Sequence, residues 1–470
     1  MDEIKLSKLN DDVFEQIKDF KYWMLTEEQE SLIDKLILNK ELKERYKKNG
    51  LCEECNSIRR NSIFCNYCLL QIFKSVTSGN HDVDEFIQKA QLKAEQWYQI
   101  IEWIEYDKFE DIEYLAKGGF GTTYKAVWKD GYIHWNGNKW ERVGIKVALK
   151  CLHNSQDITT DFLKEVESTL LVRRTIFVVR CLGITKDPKT NNFIMVMELK
   201  EGSLRQHLSN NFISLNWKQK LRSLYGLADG LNDIHDKELI HHDLHCGNIL
   251  SDFDEYAYIT DLGLCQPANV KTSQDSDKKI YGALPYIAPE VLRGKEYTQA
   301  SDIYAYGIIA YEICTGFPPY YDIAHDELLA IKICQGLRPS SNYKIPQVIL
   351  DMIIQCWDAN PLKRPKAKEL YDSLFDLYYH DYDEEDSAIH KQALEANEIN
   401  KKSSLTVQST LSSTGTLSYT THPQAVYTSR LLDFKNLPEP KNADNNETEN
   451  LDSLRIDFTK LDINSKDESN

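Results

Sequence analysis

The chain has 470 residues, 41% of them hydrophobic, and a formal net charge of −17. That length suggests two or three units rather than one core. The acidity is spread along the chain and argues against a nucleic-acid-binding body. The tail, residues 381–470, holds 17 acidic against 9 basic residues.

The first residues, MDEIKLSKLNDD, carry charge and no apolar run, so no signal peptide is expected. No apolar stretch reaches the ~18 residues of a spanning helix, so no membrane insertion is expected. The reducing cytosol is the expected compartment, with the nucleus as an alternative, and there the 11 cysteines are not a disulfide framework.

Residues 1–50 read as a charged helical segment. Thr26-Glu27-Glu28-Gln29 has capping-box spacing. Leu32, Ile33, Leu36 and Ile37 recur at helical spacing, and Gly50 ends the run. A spacer or a docking helix fits this pattern, the spacer better.

Residues 51–70 form a cysteine module in which Cys52 and Cys55, then Cys65 and Cys68, are paired with two residues between the members of each pair. Such knuckles bring four thiolates to tetrahedral geometry around structural Zn²⁺, with no open position for catalysis. Unligated thiols are the plain alternative. Redox chemistry is a third, without the βαβ context it needs. Residues 71–108 read as a helical linker with Phe86, Ile87, Leu92, Ile100, Ile101 and Trp103 as packing positions.

From about residue 109 the texture changes. DIEYLAKGGFGTTYKAVWKD reads as strand, glycine turn, strand, with Gly118, Gly119 and Gly121 in the turn. Such a turn lets backbone N–H groups approach phosphates. Asp130-Gly131 and Asn136-Gly137 mark a further hairpin. Val147-Ala148-Leu149-Lys150 is an apolar strand ending in a lysine that needs a charged partner. The helix expected over 161–174 offers Glu165 and Glu167.

Residues 193–200 make a buried strand, a helix starts near Ser203, and an apolar helix covers 225–235. It leads into LIHHDLHCGNIL, a polar turn with Asp243 and Asn248 between two apolar pairs. Alone this is an Asx-rich loop. A second strand-end aspartate, Asp261, follows in AYITDLG. Together these supply the hard oxygen ligands that Mg²⁺ prefers.

In this order the residues resemble a protein kinase. The glycine turn, VALK, Glu165, HHDLHCGN, DLG, the APE of Ala288-Pro289-Glu290, SDIYAYG and the NPLKRP around Arg364 follow one another. CWDANP before KRP is similar to the tyrosine-kinase-like group of serine/threonine kinases. The cysteine knuckles and the YLAKGGFGTTYKAVW loop resemble a fungal expansion of that group.

The resemblance implies an α+β, bilobal kinase fold over 109–380, β-rich first and helical second. It implies ATP and Mg²⁺ as cofactors, protein substrates as partners and γ-phosphate transfer to Ser/Thr hydroxyls in signalling. Leu115, Ala116, Lys117, Gly118, Gly119, Phe120, Gly121, Thr122 and Thr123 would cover the nucleotide. Lys150 would hold its phosphates and pair with Glu165. Met197 would be the gatekeeper, and Glu198 and Leu199 the hinge. Asp243 would take the substrate proton, and Asn248 and Asp261 would hold Mg²⁺. Glu290 and Arg364 would form a buried structural pair.

Four departures bear on rate and regulation. Ala116 replaces the first loop glycine, His242 the arginine that pairs with a phosphorylated loop, His245 a lysine and Ala283 a threonine. They motivate an alternative, a pseudokinase scaffold. Tyrosine specificity is disfavoured by LPYIAPE. The tail, 381–470, reads as disordered for want of apolar anchors. Within it Arg430-Leu431-Leu432-Asp433-Phe434 is either a short binding motif or a chance apolar cluster.

Overall fold

The structure is a computed structural model. It describes residues 9–52, 55–59, 68, 73, 76–94, 97–118, 121–135, 140–152, 160–172, 175–252, 256–267, 280–406 and 419–443. The chain forms two compact units, Met1–Arg173 with Val179–Leu199, and Arg174–Val178 with Lys200–Asn470.

The first unit opens with three helices, α1 (Asp11–Ile17), α2 (Glu27–Leu36) and α3 (Lys40–Asn49). The Thr26–Gln29 capping box starts α2 as its spacing predicts. The periodic run is broken, however, because Asn39 caps a fresh helix through the Leu42 N–H. Ile17, Ile33, Ile37, Tyr46 and Ile58 pack into one small core. Residues 1–50 are therefore no spacer where described. They fold on themselves and draw Ile58, from beyond the expected boundary, into their core. Gly50 turns the chain at φ 69°, where an added Cβ would meet the Tyr22 ring.

Helix α4 (His81–Lys93) follows, with Asn80 accepting two backbone N–H groups at its start. The expected linker then ends in a strand. β1 (Glu102–Trp103) pairs in parallel with β5 (Cys181–Lys186). The sheet runs β1-β5-β6-β4-β3-β2, with β2 Phe109–Lys117, β3 Gly121–Trp135, β4 Trp140–Leu152 and β6 Phe193–Glu198. Arg142 secures the added strand with hydrogen bonds of 3.1 and 2.6 Å to Glu102. Phe109, Trp128, Val147, Leu149, Leu182 and Val196 form the core beside the sheet. Each such side chain contributes about 1.5–3 kcal/mol by leaving water.

Asp130-Gly131 is not a hairpin turn. β3 runs through it with a bulge between Trp128 and Tyr132. Gly131 sits at φ 66°, with Val143 O only 1.6 Å from where a Cβ would stand, so the glycine serves close strand approach. Helix α5 spans Thr160–Leu171.

The second unit is helical. Its first elements are β7 (Gly202–Ser203), α6 (Leu204–Asn211), α7 (Trp217–Asp236), β8 (Leu239–Ile240), β9 (Ile249–Ser251) and β10 (Ala257–Ile259). Next come β11 (Gln266–Pro267), β12 (Ile280–Gly282), α8 (Pro289–Leu292) and α9 (Gln299–Thr315). Then follow α10 (Glu327–Cys334), α11 (Gln347–Cys356), α12 (Ala367–Asp376) and α13 (Ala388–Thr406). Helix α9 is buried from Ser301 to Thr315, as an all-round apolar helix should be.

The expectation of a disordered tail is corrected where the tail is described. α13 docks through Asn400, which bonds both the N–H and C=O of Lys344, and through Gln392 to Val348. Residues 419–443 lie along the helical unit, and β13 (Arg430–Leu432) pairs antiparallel with β12. Composition alone missed this because a few docked apolar side chains, Leu432 and Leu437 among them, are buried. Borrowed backbone partners do the rest. Among the described residues no helix is long and apolar enough to cross a membrane.

Candidate active site

In the first unit the glycine turn is closed by Gly118 N–H donating to Gly121 O at 2.9 Å. Gly121 has no room for a Cβ, which would lie 2.4 Å from Cys151 O. Gly119 and Phe120 lie outside the described residues. Ala116 pairs with Thr123, and Lys117 with Thr122, just past a register shift between Tyr114 and Ala116. Ala116 has no positive φ, so its methyl group costs no strain. Leu115 is exposed.

Lys150 lies on β4 between Thr123 and Met195 on the flanking strands. Its Nζ stands 2.5 Å from Glu165 Oε1 on α5, and both side chains are largely buried. This is the charged partner that the apolar strand demanded. Met197 is buried at the end of β6. Glu198 donates its N–H to Arg180 O at 3.0 Å, and Leu199 follows, half-buried.

In the second unit the short antiparallel ladder of β9 and β10 sets Asn248 beside Thr260, whose N–H donates to Asn248 O at 3.0 Å. Asp261 comes next, in the left-handed region at φ 65°. Asn248 Nδ2 donates to Asp243 O at 2.9 Å and Oδ2 at 3.3 Å. The amide N–H groups are thus spent on Asp243, which leaves the amide oxygen as donor atom for a cation.

Asp243 is buried. Burial raises its carboxyl pKa, but the His245 ring, the Ser429 hydroxyl and His241 more than offset this, and the carboxyl stays below its usual value. His245 Nδ1 accepts the Gly247 N–H at 3.0 Å, so a neutral ring carries its proton on Nε2. His241 bridges Asp243 N–H at 3.3 Å and Thr260 O at 3.1 Å. His242 packs against Tyr297, with ring centroids 4.7 Å apart and planes tilted by 33°, and its buried Nε2 has no hydrogen-bond partner among the described residues. Burial pushes this imidazole below its usual pKa. It is therefore a poor substitute for a phosphate-binding arginine.

Sequence reasoning missed one residue here. Ser429 Oγ donates to Asp243 Oδ1 at 2.5 Å and lies 3.0 Å from His245 Nε2. The signal available was the apolar Leu431-Leu432 pair just beyond it. Glu290 and Arg364 meet in a buried two-pronged pair of 2.6 and 2.7 Å. Ala283 is buried and offers no hydroxyl. Thr272, Ser273 and Ser276 lie outside the described residues, and Tyr281 is on β12.

Away from these residues, Cys52, Cys55 and Cys68 place their sulfurs within 4.8 Å of one another. Cys52 N–H donates to Ser57 O at 2.8 Å and Asn56 N–H to Cys52 O at 2.9 Å, a tight knuckle. Cys52 and Cys68 sulfurs are 3.7 Å apart. Thiolates at ~2.3 Å from a tetrahedral zinc stand about 3.8 Å apart, so the described trio fits. Cys65 lies outside the described residues.

Residues 109–374 match the protein tyrosine and serine/threonine kinase family. The chain is 28% identical over 290 residues to a probable serine/threonine-protein kinase of Dictyostelium discoideum, covering 61% of this chain and 29% of that protein. It is 29% identical over 295 residues to receptor-interacting serine/threonine-protein kinase 2 of Bos taurus, covering 58% and 52%. It is 28% identical over 277 residues to a tyrosine-protein kinase of Girardia tigrina, covering 57% and 52%. The chain thus spans about half or less of the length of these relatives. With the match covering more than half of its own length, the chain belongs to the protein tyrosine and serine/threonine kinase family and carries its α+β kinase domain.

Proposed function

We propose that the chain is an active serine/threonine protein kinase of the tyrosine-kinase-like group, transferring the γ-phosphate of Mg-ATP in signalling. The observation that carries the reading is Asp243: an ionised, buried carboxylate held by Asn248 with a serine hydroxyl donating to it. A base within hydrogen-bond reach of an alcohol proton is what transfer to that alcohol requires. A serine hydroxyl, so close to its own backbone, also suits this depth better than the longer tyrosine side chain.

Each group then has one task. Lys150, aimed by Glu165, holds phosphate oxygens. The glycine turn, Leu115 and Thr123 cover the nucleotide, and the backbone of Glu198 and Leu199 meets adenine. The Asn248 amide oxygen and the Asp261 carboxylate fit Mg²⁺, which prefers hard oxygen donors. When bound, Mg²⁺ neutralises charge on the transferring phosphate. Asp243 orients the acceptor hydroxyl and takes its proton. His245 stands where the group usually has lysine and offers the acceptor oxygen a hydrogen bond. The Glu290–Arg364 pair props the segment that follows β12.

We also assign structural Zn²⁺ to Cys52, Cys55, Cys65 and Cys68. The cytosol or nucleus suits a chain whose 11 cysteines are read as thiols rather than as a disulfide framework. The knuckle beside the kinase domain supports the fungal expansion as the nearer family.

His242, His245 and Ala283 favour a second reading, a scaffold that binds nucleotide without turnover. Purified chain with Mg-ATP and casein separates the two. Casein phosphorylation at serine or threonine, lost in Asp243→Asn, supports the kinase. Nucleotide binding with wild type as silent as the variant supports the scaffold.

A further inference from the structure

We propose that Ser429 is an intramolecular phosphoacceptor, and that residues 419–443 are a built-in substrate segment released by their own phosphorylation. The proposal rests on the kinase reading above. It goes further in naming the first substrate.

The segment is seated as a substrate would be. Tyr419 packs against Phe317 and Tyr321, with centroids at 5.7 and 5.1 Å. His422 N–H donates to Tyr321 O at 2.7 Å, and His325 N–H to Gln424 O at 3.1 Å. Tyr427, two residues before Ser429, lies over the Arg205 guanidinium at 4.0 Å and edge-on to His325. Past Ser429 the backbone joins β12, with Arg430 opposite Gly282 and Leu432 opposite Ile280. Leu432, three residues after the serine, is 4% exposed, whereas Leu431 is 53% exposed. Strand addition supplies affinity through the main chain, and alternate side chains supply selectivity. Further on, Arg293 grips both Glu439 oxygens, and Asn442 bonds Asp358 and the Ala359 N–H.

The chemistry at Ser429 favours transfer rather than simple blockage. His245 presents its Nε2–H to Ser429 Oγ, while the Oγ–H points at Asp243 Oδ1. The proton to be lost is already directed at the base, and an oxygen lone pair is left to attack. In the step, a bond forms between Ser429 Oγ and the γ-phosphorus of ATP. The bond from that phosphorus to the β,γ-bridging oxygen breaks, and ADP leaves with its electron pair. The hydroxyl proton passes to Asp243. The product places a phosphoserine, with a charge of about −1.5 to −2, against the Asp243 carboxylate once that carboxylate has lost the proton. Like-charge repulsion and the lost hydroxyl donor then drive the segment off and open the groove to other proteins.

Full-length chain is incubated with Mg-ATP, with casein as external substrate, and phosphosites are read by mass spectrometry. The expected result is phosphate on Ser429 with a first-order rate constant unchanged over a hundredfold dilution. A tagged Lys150→Met chain mixed in should stay unmodified at Ser429. Ser429→Thr should carry phosphothreonine at that position, a check that does not depend on losing the hydroxyl. After reaction, amide exchange over 419–443 should rise at least tenfold. Casein phosphorylated while Ser429 stays bare overturns the proposal and leaves the kinase reading standing. Silence towards both overturns the two together. Modification of the Lys150→Met chain in proportion to wild-type concentration overturns the intramolecular claim, and unchanged exchange overturns release.

Discussion

Asp302 Oδ2 accepts the His241 N–H at 2.8 Å across 61 residues of chain. Its other oxygen accepts the His242 N–H at 3.2 Å, and His235 Nε2 lies 3.0 Å from Oδ2. One buried carboxylate thus fixes the entry to the Asp243 loop, including His242 at φ 70°, a conformation that costs of order 1–3 kcal/mol unless imposed. Burial would raise the Asp302 carboxyl pKa, but His235 and the His241 N–H hold it below its usual value. In Asp302→Asn one acceptor oxygen becomes a donor, leaving a loop N–H unpaired. Stability should fall by about 1–3 kcal/mol. Turnover should fall at least tenfold, while the ATP dissociation constant changes little. Chemical denaturation, steady-state kinetics and nucleotide titration check these separately.

The Glu290–Arg364 pair is buried, and Arg364 also donates to Asp358 O at 2.8 Å and Ala300 O at 2.9 Å. Removing one partner strands a charge. Glu290→Gln or Arg364→Met alone should destabilise by about 3–5 kcal/mol. The double variant Glu290→Gln with Arg364→Met should lose less than the sum of the singles. A double-mutant cycle by denaturation reads the coupling, and additive losses would show that the pair is not coupled.

Much of the Asp243–Asn248 turn was legible because its bonding is local. Asp243 and Asn248 are five residues apart, and their bond needs only a tight turn. Lys150 and Glu165 were legible for another reason: a lysine ending an apolar strand must find a carboxylate, and the next helix offers one. The bulge at Gly131 and the new strand at Glu102 were not legible. A glycine after aspartate signals a turn equally well, and a two-residue strand has no periodicity. Ser429 lay furthest from reach. Its bond to Asp243 spans 186 residues, and its seat is made by main-chain pairing with β12, which any sequence can offer.

Lys220 offers a test in pH. It is buried on α7 under Phe212, Trp217 and Tyr343, and donates to Cys314 O at 2.9 Å. Burial pulls its pKa from the usual 10.5 down to about 7, with the Cys314 thiol opposing weakly. Between these values the unfolded chain holds a proton that the folded chain lacks, so stability rises with pH across that window. Below about pH 7 both states are protonated, and the full cost of burying the charge remains. Lys220→Met should remove this rise. The thermal midpoint of wild type relative to Lys220→Met should therefore increase from pH 7.5 to pH 9.5, and a constant difference would contradict it.

The tail clamp can be reversed. Arg293 holds Glu439 at 2.6 and 2.5 Å and donates to Leu437 O at 3.2 Å. Glu439 is exposed, so the pair is worth no more than ~1 kcal/mol. Arg293→Glu replaces attraction with repulsion, and amide exchange over 430–443 should accelerate several-fold. Adding Glu439→Arg should restore much of the protection. Exchange unaffected by either change would mean that Leu432, Leu437 and the β12 pairing hold the segment alone.

The cysteine knuckle is tested by metal content and by what metal removal does to its neighbours. Leu51 bridges to Ile58, and Ile58 is part of the core formed with Ile17, Ile33 and Tyr46. A metal at Cys52, Cys55 and Cys68 would pin the chain on both sides of that contact. Zinc should be present at about one equivalent in full-length chain purified under reducing conditions. A chelator should remove it and speed exchange at 50–59 and in the three N-terminal helices, while the Asp243 loop keeps its protection. Cys55→Ser should reproduce the effect without chelator. Metal-free protein whose exchange does not respond to added zinc would reduce the four cysteines to ordinary thiols. The small helical core would then stand by its apolar packing alone.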